Sequence, residues 1–307
     1  MRILLTGSSG MVGQNILEHK SASEHEFLAP LRSELDLLDR LKIESYLEDV
    51  SPDFVIHAAG RVGGIRANIA SPAEFLVENL NMALNLFESA HATGVLRLIN
   101  LASSCMYPRF ATNPLREEML LSGELEPTNE GYALAKIVAT RHCSYLSQSG
   151  RDVCYKTLIP CNLFGRHDNF DAISGHMIPA VINRMSVAKK KNMDSIEAWG
   201  DGTARREFML ASDLADFVFY ALSNFDDLPL VMNVGVGQDH SIADYYRAIA
   251  STIGFEGALK FDSTKPVGMQ RKLLDISEQK KLGWKPAKSL QEGLKEAYHY
   301  FNQRKTF

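Results

Sequence analysis

Arg2-Ile-Leu-Leu-Thr6 is a short apolar run that stops at a glycine, and it starts a regular succession of such runs with helical patterns. A run this short and this uniformly apolar is what a strand buried on both faces requires, so it predicts a parallel strand. Gly7-Ser-Ser-Gly10-Met-Val-Gly13 then opens a helical stretch to about Lys20. Glu26 to Leu31 reads as a second strand, Arg40 to Glu48 as a second helix and Phe54 to Ala58 as a third strand. Ala83 to Thr93 reads as helix, Arg97 to Ala102 as strand, Tyr132 to Ser149 as a long helix stopped by Gly150, and Val153 to Ile159 as strand. Strand and helix in this alternation predict an α/β fold with a doubly wound parallel sheet.

The alternation lapses from about Arg166 to Arg205, a stretch rich in Asn, Asp and Lys. Leu230 to Val234 reads as a late strand returning to the main sheet, and helical patterns follow at Ile242–Ile253 and Leu290–Phe301. The expected organisation is therefore a nucleotide-binding domain of residues 1–165 plus about 206–240. A smaller, discontinuous α/β substrate lobe would take about 166–205 plus 241–307.

Glycines at 7, 10 and 13, directly after a strand and at the start of a helix, permit a tight turn and bring the helix N-terminus against a pyrophosphate. This Rossmann arrangement makes Gly7, Gly10, Met11, Val12 and Gly13 candidate cofactor-binding residues. An acidic residue at the end of the second strand marks NAD binders, whereas this chain has Arg32 there, which suits a 2′-phosphate and favours NADP(H). Asp36 and Leu37 are expected near the adenine. Ala58 and Ala59 leave room for the cofactor at the sheet's carboxyl edge.

Tyr132 and Lys136 are four apart and share one helix face. A phenol can donate a proton to a developing alkoxide, and a neighbouring ammonium is expected to draw the phenol toward phenolate. Ser103, at a strand end, can donate a hydrogen bond to the same oxygen. Cys105 and His176 offer a second, separate acid/base pair with reference pKa values on either side of neutrality. A ketone acidifies the protons on its neighbouring carbons, and inversion there needs one group on each face.

Of the 307 residues, 45% are hydrophobic and 23% charged, with a formal net charge of -4. That composition is globular and gives no basic surface for nucleic acid. No apolar run is long enough to span a membrane. Met1-Arg2 leads straight into a strand with the wrong flanks for a signal peptide. The four cysteines lack zinc spacing, so no metal is expected and a cytoplasmic setting is.

Longer motifs sharpen the reading: Val62-Gly-Gly-Ile65, Ser103-Ser-Cys-Met-Tyr-Pro108, Glu126-Pro-Thr-Asn-Glu130, His167-Asp-Asn-Phe170, His176-Met-Ile-Pro179, Trp199-Gly-Asp-Gly202, Arg206-Glu-Phe208 and Lys272-Leu-Leu-Asp275. With them the chain resembles the extended short-chain dehydrogenase/reductases, and among these the epimerase-reductases of GDP-linked 4-keto sugars. The resemblance covers essentially the whole chain. It implies reduction at C4 with NADPH by Ser103, Tyr132 and Lys136, and inversion at C3 and C5 by Cys105 and His176. It also implies GDP-sugar contacts from Asn162, His176, Arg184, Trp199, Arg206 and Lys272. Asn162 and Leu163, with Tyr132 and Lys136, are implied beside the cofactor, and a homodimer is implied, joined through long helices such as Tyr132–Ser149.

Three positions depart from the family pattern. Gly131 stands where proline is common, which is expected to change only loop stiffness. Cys161 stands where threonine is common, and Val267 replaces an aspartate in the expected sugar lobe. The substrate therefore stays open between GDP-4-keto-6-deoxymannose, a dideoxy sugar such as the colitose precursor, and a heptose. A nucleotide-sugar 4-epimerase and a non-catalytic NADP-binding protein are weaker alternatives.

Overall fold

The computed structural model describes residues 1–149, 152–265 and 267–304; Gly150, the expected helix stop, lies outside them. The chain begins with β1 (Arg2–Thr6), α1 (Met11–Leu17), β2 (Glu26–Leu28), α2 (Arg40–Val50) and β3 (Phe54–His57). It continues with α3 (Ile65–Ala70), α4 (Pro72–Ala92), β4 (Arg97–Leu101), α5 (Glu130–Ser147) and β5 (Cys154–Pro160). Next come β6 (Asn162–Phe164), α6 (Met177–Lys190), β7 (Ser195–Trp199), β8 (Arg205–Arg206), β9 (Phe208–Leu210), α7 (Ala211–Ser223) and β10 (Val231–Val234). The last elements are β11 (His240–Ser241), α8 (Ile242–Ile253), β12 (Ala258–Asp262), β13 (Arg271–Lys272), α9 (Ser277–Lys281) and α10 (Leu290–Arg304).

Among the described residues six strands form one sheet in the order β10-β5-β4-β3-β1-β2, and every pairing in it is parallel. Successive side chains of a strand point to opposite faces. Ile3 and Leu5 accordingly enter one core with Ile56, Ile99, Leu214 and Phe217, while Leu4 enters another with Val55, Leu47, Phe87 and Tyr155. Burial on both faces is why these strands are mostly apolar, with Asn100, Thr157 and Asn233 among the buried polar exceptions. Strand order reverses between β1 and β3, and the crevice outside their carboxyl ends is where a doubly wound sheet binds its ligands.

A third core gathers α6, α8 and α10 around Phe164, Ile178, Ile182, Ala198, Tyr245 and Phe301. Its strands pair β7 with β12 and β6 with β9, both parallel. A small sheet of β11, β8 and β13 lies beside them. These strands are two residues long, too short for any periodicity to show in the sequence.

Among the elements that differ from expectation, two bear on the site. β2 stops at Leu28 rather than Leu31 because Ala29 and Pro30 turn toward the glycine loop, where their carbonyls face the Ser8 hydroxyl at 3.2 and 3.3 Å. α4 starts at Pro72, well before Ala83. In this first half Asn79 is buried and its amide ties the Arg61 backbone, accepting from Arg61 N at 2.9 Å and donating to Arg61 O at 3.1 Å.

Candidate active site

A cavity of about 1010 Å³ opens at the carboxyl ends of β1, β3 and β4 and is lined on its far side by α6, β7, β8 and β13. Every residue expected in the site lines it except Gly13. A Cβ at Gly13 would collide with the Gly7 carbonyl and stand 2.7 Å from Ser8 Cα, so this glycine lets α1 pack on the turn and does not face the cavity.

At the cofactor end, Gly7 has φ +73 and lies so close to β3's exit that a Cβ would stand 2.6 Å from Ala59 N. Gly10 N donates to Gly7 O at 3.0 Å, and Gly10 caps α1 with no side-chain bond among the described residues. The first-turn amides of α1 are thus left for a ligand, and a diphosphate fits them. Arg32 lines the rim with its side chain 73% exposed, and its Nε is 3.9 Å from Asp36 Oδ1. An exposed pair this loose leaves the guanidinium available to a phosphate. The chain's residues therefore fit NADP(H).

At the catalytic end, Ser103 leaves β4 in an extended conformation, and its Oγ accepts from Cys105 N at 3.3 Å. That bond starts the single helical turn Ser104–Met106 that carries the thiol. Tyr132 lies in the first turn of α5 with Lys136 one turn on. Lys136 is buried, donates from Nζ to Leu101 O at 3.0 Å and lies 5.9 Å from the Tyr132 ring centroid. Phe75 packs edge-on against the tyrosine with centroids 6.4 Å apart.

Burial dominates the protonation of this pair. It lowers Lys136 to about 8. It pushes the Tyr132 phenol up, Cys105 adding to the rise and the hydrogen bond with Ser103 opposing it. The expected pull of Lys136 toward phenolate is therefore outweighed, and Tyr132 rests as a proton donor, the form that reduction needs.

On the sulfur side of this end, Lys272 Nζ lies 3.6 Å from Cys105 Sγ. β13 delivers Lys272 by pairing with β8, the strand of Arg206. Arg206 is fixed by donating to Arg205 O at 2.8 Å and Val267 O at 2.9 Å, and burial lowers its pKa. Next to it the buried Glu207 carboxylate accepts from Val236 N, Gly237 N and Leu274 N at 2.6, 2.7 and 2.9 Å. It thereby clamps two segments to its own strand beneath the site, while burial raises its pKa. Asn162 is held by donating to Glu207 O at 2.8 Å.

Arg184 donates to Tyr246 Oη at 2.7 Å and Glu197 O at 3.1 Å. Arg66, which the sequence reading did not single out, lies over Trp199 with Cζ 4.4 Å from the ring centroid. His176 occupies the N-cap position of α6, but its ring makes no capping bond among the described residues. Its Nδ1 lies instead 3.9 Å from Asp168 Oδ1. Among the described residues no group of three His, Cys, Asp or Glu could hold a metal, and no helix is long and apolar enough to cross a membrane.

Residues 3–235 match the model of the NAD dependent epimerase/dehydratase family. The chain is 49% identical over 305 residues to the GDP-L-colitose synthase of Yersinia pseudotuberculosis, covering 99% of each. It is 46% identical to the GDP-L-fucose synthase of Azorhizobium caulinodans, over 98% of this chain and 96% of that protein. Among solved structures it matches MlghC, the GDP-mannoheptose C4 reductase from Campylobacter jejuni with NADP bound, at 30% identity and a TM-score of 0.87, over 98% of each chain.

Proposed function

We propose, for a chain that belongs to the NAD dependent epimerase/dehydratase family, inversion of the carbons beside the ketone of a GDP-linked 4-keto sugar and reduction of that ketone with NADPH. The substrate is GDP-4-keto-6-deoxy-D-mannose and the product GDP-L-fucose, the product for which the enzyme of Azorhizobium caulinodans is named. The observation that carries this reading is that Ser103, Tyr132 and Lys136 line the same cavity as Cys105 and His176.

NADPH, held by the glycine turn and Arg32, supplies the hydride when bound. Cys105 and His176 act as the pair that removes a proton from a carbon beside the ketone and returns one to its other face. Ser103 and Tyr132 hydrogen-bond the oxygen that becomes negative in the enolate. Tyr132 then gives its proton to the C4 oxygen. Lys272, Arg206 and Arg184 offer positive charge for the GDP-sugar, and Trp199 a flat apolar face.

A second reading has its own support. The 49% identity to the GDP-L-colitose synthase favours a 3,6-dideoxy-4-keto substrate, in which only C5 would be inverted. Incubation of each GDP-sugar with NADPH in deuterated water separates the two. Deuterium at C3 and C5 of an L-fucose product supports the first reading, turnover of the dideoxy sugar alone supports the second, and reduction without deuterium removes both.

The reading includes a homodimer joined through α4 and α5. Val77 on α4 and Val138 and Tyr145 on α5 are exposed hydrophobic residues, and the last two, seven apart, share one helix face. It also includes the cytoplasm, a setting in which the four free cysteines stay reduced.

A further inference from the structure

Asp168 is 4% exposed, and its Oδ2 has no hydrogen-bond partner among the described residues. Oδ1 accepts from Asn169 N at 2.7 Å and faces His176 Nδ1 at 3.9 Å. A buried carboxylate oxygen left unsatisfied carries its full desolvation penalty, so it marks a group retained for some use.

The loop between β6 and α6 is shaped to bring these two residues together. His167, at φ 63, takes a left-handed backbone that non-glycine residues seldom adopt. Its ring is pinned on both nitrogens, by Glu18 at 2.7 Å and the Tyr300 hydroxyl at 2.9 Å, which ties the preceding residue of Asp168 to α1 and α10. The chain then folds back. Asp171 Oδ1 accepts from Ile173 N and Ser174 N at 3.0 and 2.8 Å. A Cβ at Gly175 would stand 2.6 Å from the Asp171 carbonyl oxygen and closer still to that of Asn169, so only glycine allows so tight a return. His176 emerges beside Asp168, its side chain 42% exposed and lining the cavity.

We propose that Asp168 is the positioning residue for His176: its carboxylate accepts the Nδ1 hydrogen and thereby aims Nε2 at the sugar. This rests on His176 belonging to the epimerising pair. A small turn of the half-exposed imidazole closes the 3.9 Å gap to a hydrogen bond. With Nδ1 so engaged, Nε2 is the nitrogen that exchanges the proton. When His176 acts as base, the Nε2 lone pair takes the proton from carbon, and the electrons of that C–H bond remain on the substrate as enolate. When it acts as acid, the Nε2 proton passes to the enolate carbon and the ring returns to neutral. Asp168 does not line the cavity and touches neither sugar nor cofactor.

The test uses the full-length protein with the Asp168→Asn substitution, which keeps the side chain's shape and replaces one acceptor oxygen by a donor. Deuterium uptake from solvent into GDP-4-keto-6-deoxymannose should fall about tenfold or more, within the contribution of a positioned acid or base. NADPH affinity and melting temperature should stay near wild type, and 15N NMR should show His176 losing its Nδ1–H tautomer. Asp168→Glu should recover part of the exchange, and it carries the test if the Asn protein fails to fold. Wild-type exchange with an unchanged His176 tautomer in Asp168→Asn overturns the proposal. If the wild-type enzyme itself takes up no deuterium, the epimerase reading has failed, and the tautomer comparison alone decides the role of Asp168.

Discussion

Lys272 and Cys105, 167 positions apart in the chain, meet with Nζ 3.6 Å from Sγ, so a cation stands beside the sulfur. The contact exists because β13 runs parallel to β8, carrying Lys272 alongside Arg206 and over the end of β4.

Lys272→Met is therefore expected to cut solvent exchange at the carbons beside the ketone by about tenfold or more while NADPH affinity holds. Measuring kcat and KM separately tests this. A rise in KM with kcat unchanged would mean that Lys272 only binds the nucleotide sugar.

Lys136 carries a pH signature. Burial lowers it to about 8 from an ordinary 10.5, so between these values the unfolded chain binds more protons than the folded one. Wild-type stability should thus gain from this group as pH rises from about 8 to 10.5, and the penalty for burying the charge is fully present below 8. Lys136→Met should lack that gain. Urea midpoints of both proteins from pH 7 to 10.5 check it, and parallel curves would contradict it.

Arg32→Ala should raise KM for NADPH roughly tenfold, the scale of one charge-assisted hydrogen bond, and leave KM for NADH nearly unchanged. Equal losses for both cofactors would show that Arg32 does not contact the 2′-phosphate.

Gly131 proves tighter than a question of loop stiffness. A Cβ there would stand 2.5 Å from the Pro72 carbonyl oxygen, because the start of α4 passes directly against the first turn of α5. Gly131→Ala should cost about 1–3 kcal/mol in denaturant unfolding, as overpacking does. An unchanged midpoint would show that α4 moves aside freely.

What the sequence revealed follows from how local each feature is. β1, the glycine turn and the Tyr132–Lys136 pair are encoded within a few residues, and each lies where its spacing predicts. The first half of α4 was hidden because buried Asn79 reads as a surface residue until its backbone partners at Arg61 are known. The two-residue strands β8, β11 and β13 exist only through pairing across distant segments. The same holds for Asp168, whose neighbour His176 is visible in the sequence, but whose burial and unsatisfied oxygen are not. Gly13 is a related case: a glycine pattern does not say which glycine lines the cavity and which packs on the turn.

The central claim is that one cavity holds two acid/base sets with separate tasks. Cys105→Ser, incubated with GDP-4-keto-6-deoxymannose and NADPH in deuterated water, tests it most directly. The account predicts that deuterium uptake at C3 and C5 falls by about a hundredfold while NADPH still binds with wild-type affinity. Full deuterium uptake by this variant would contradict it.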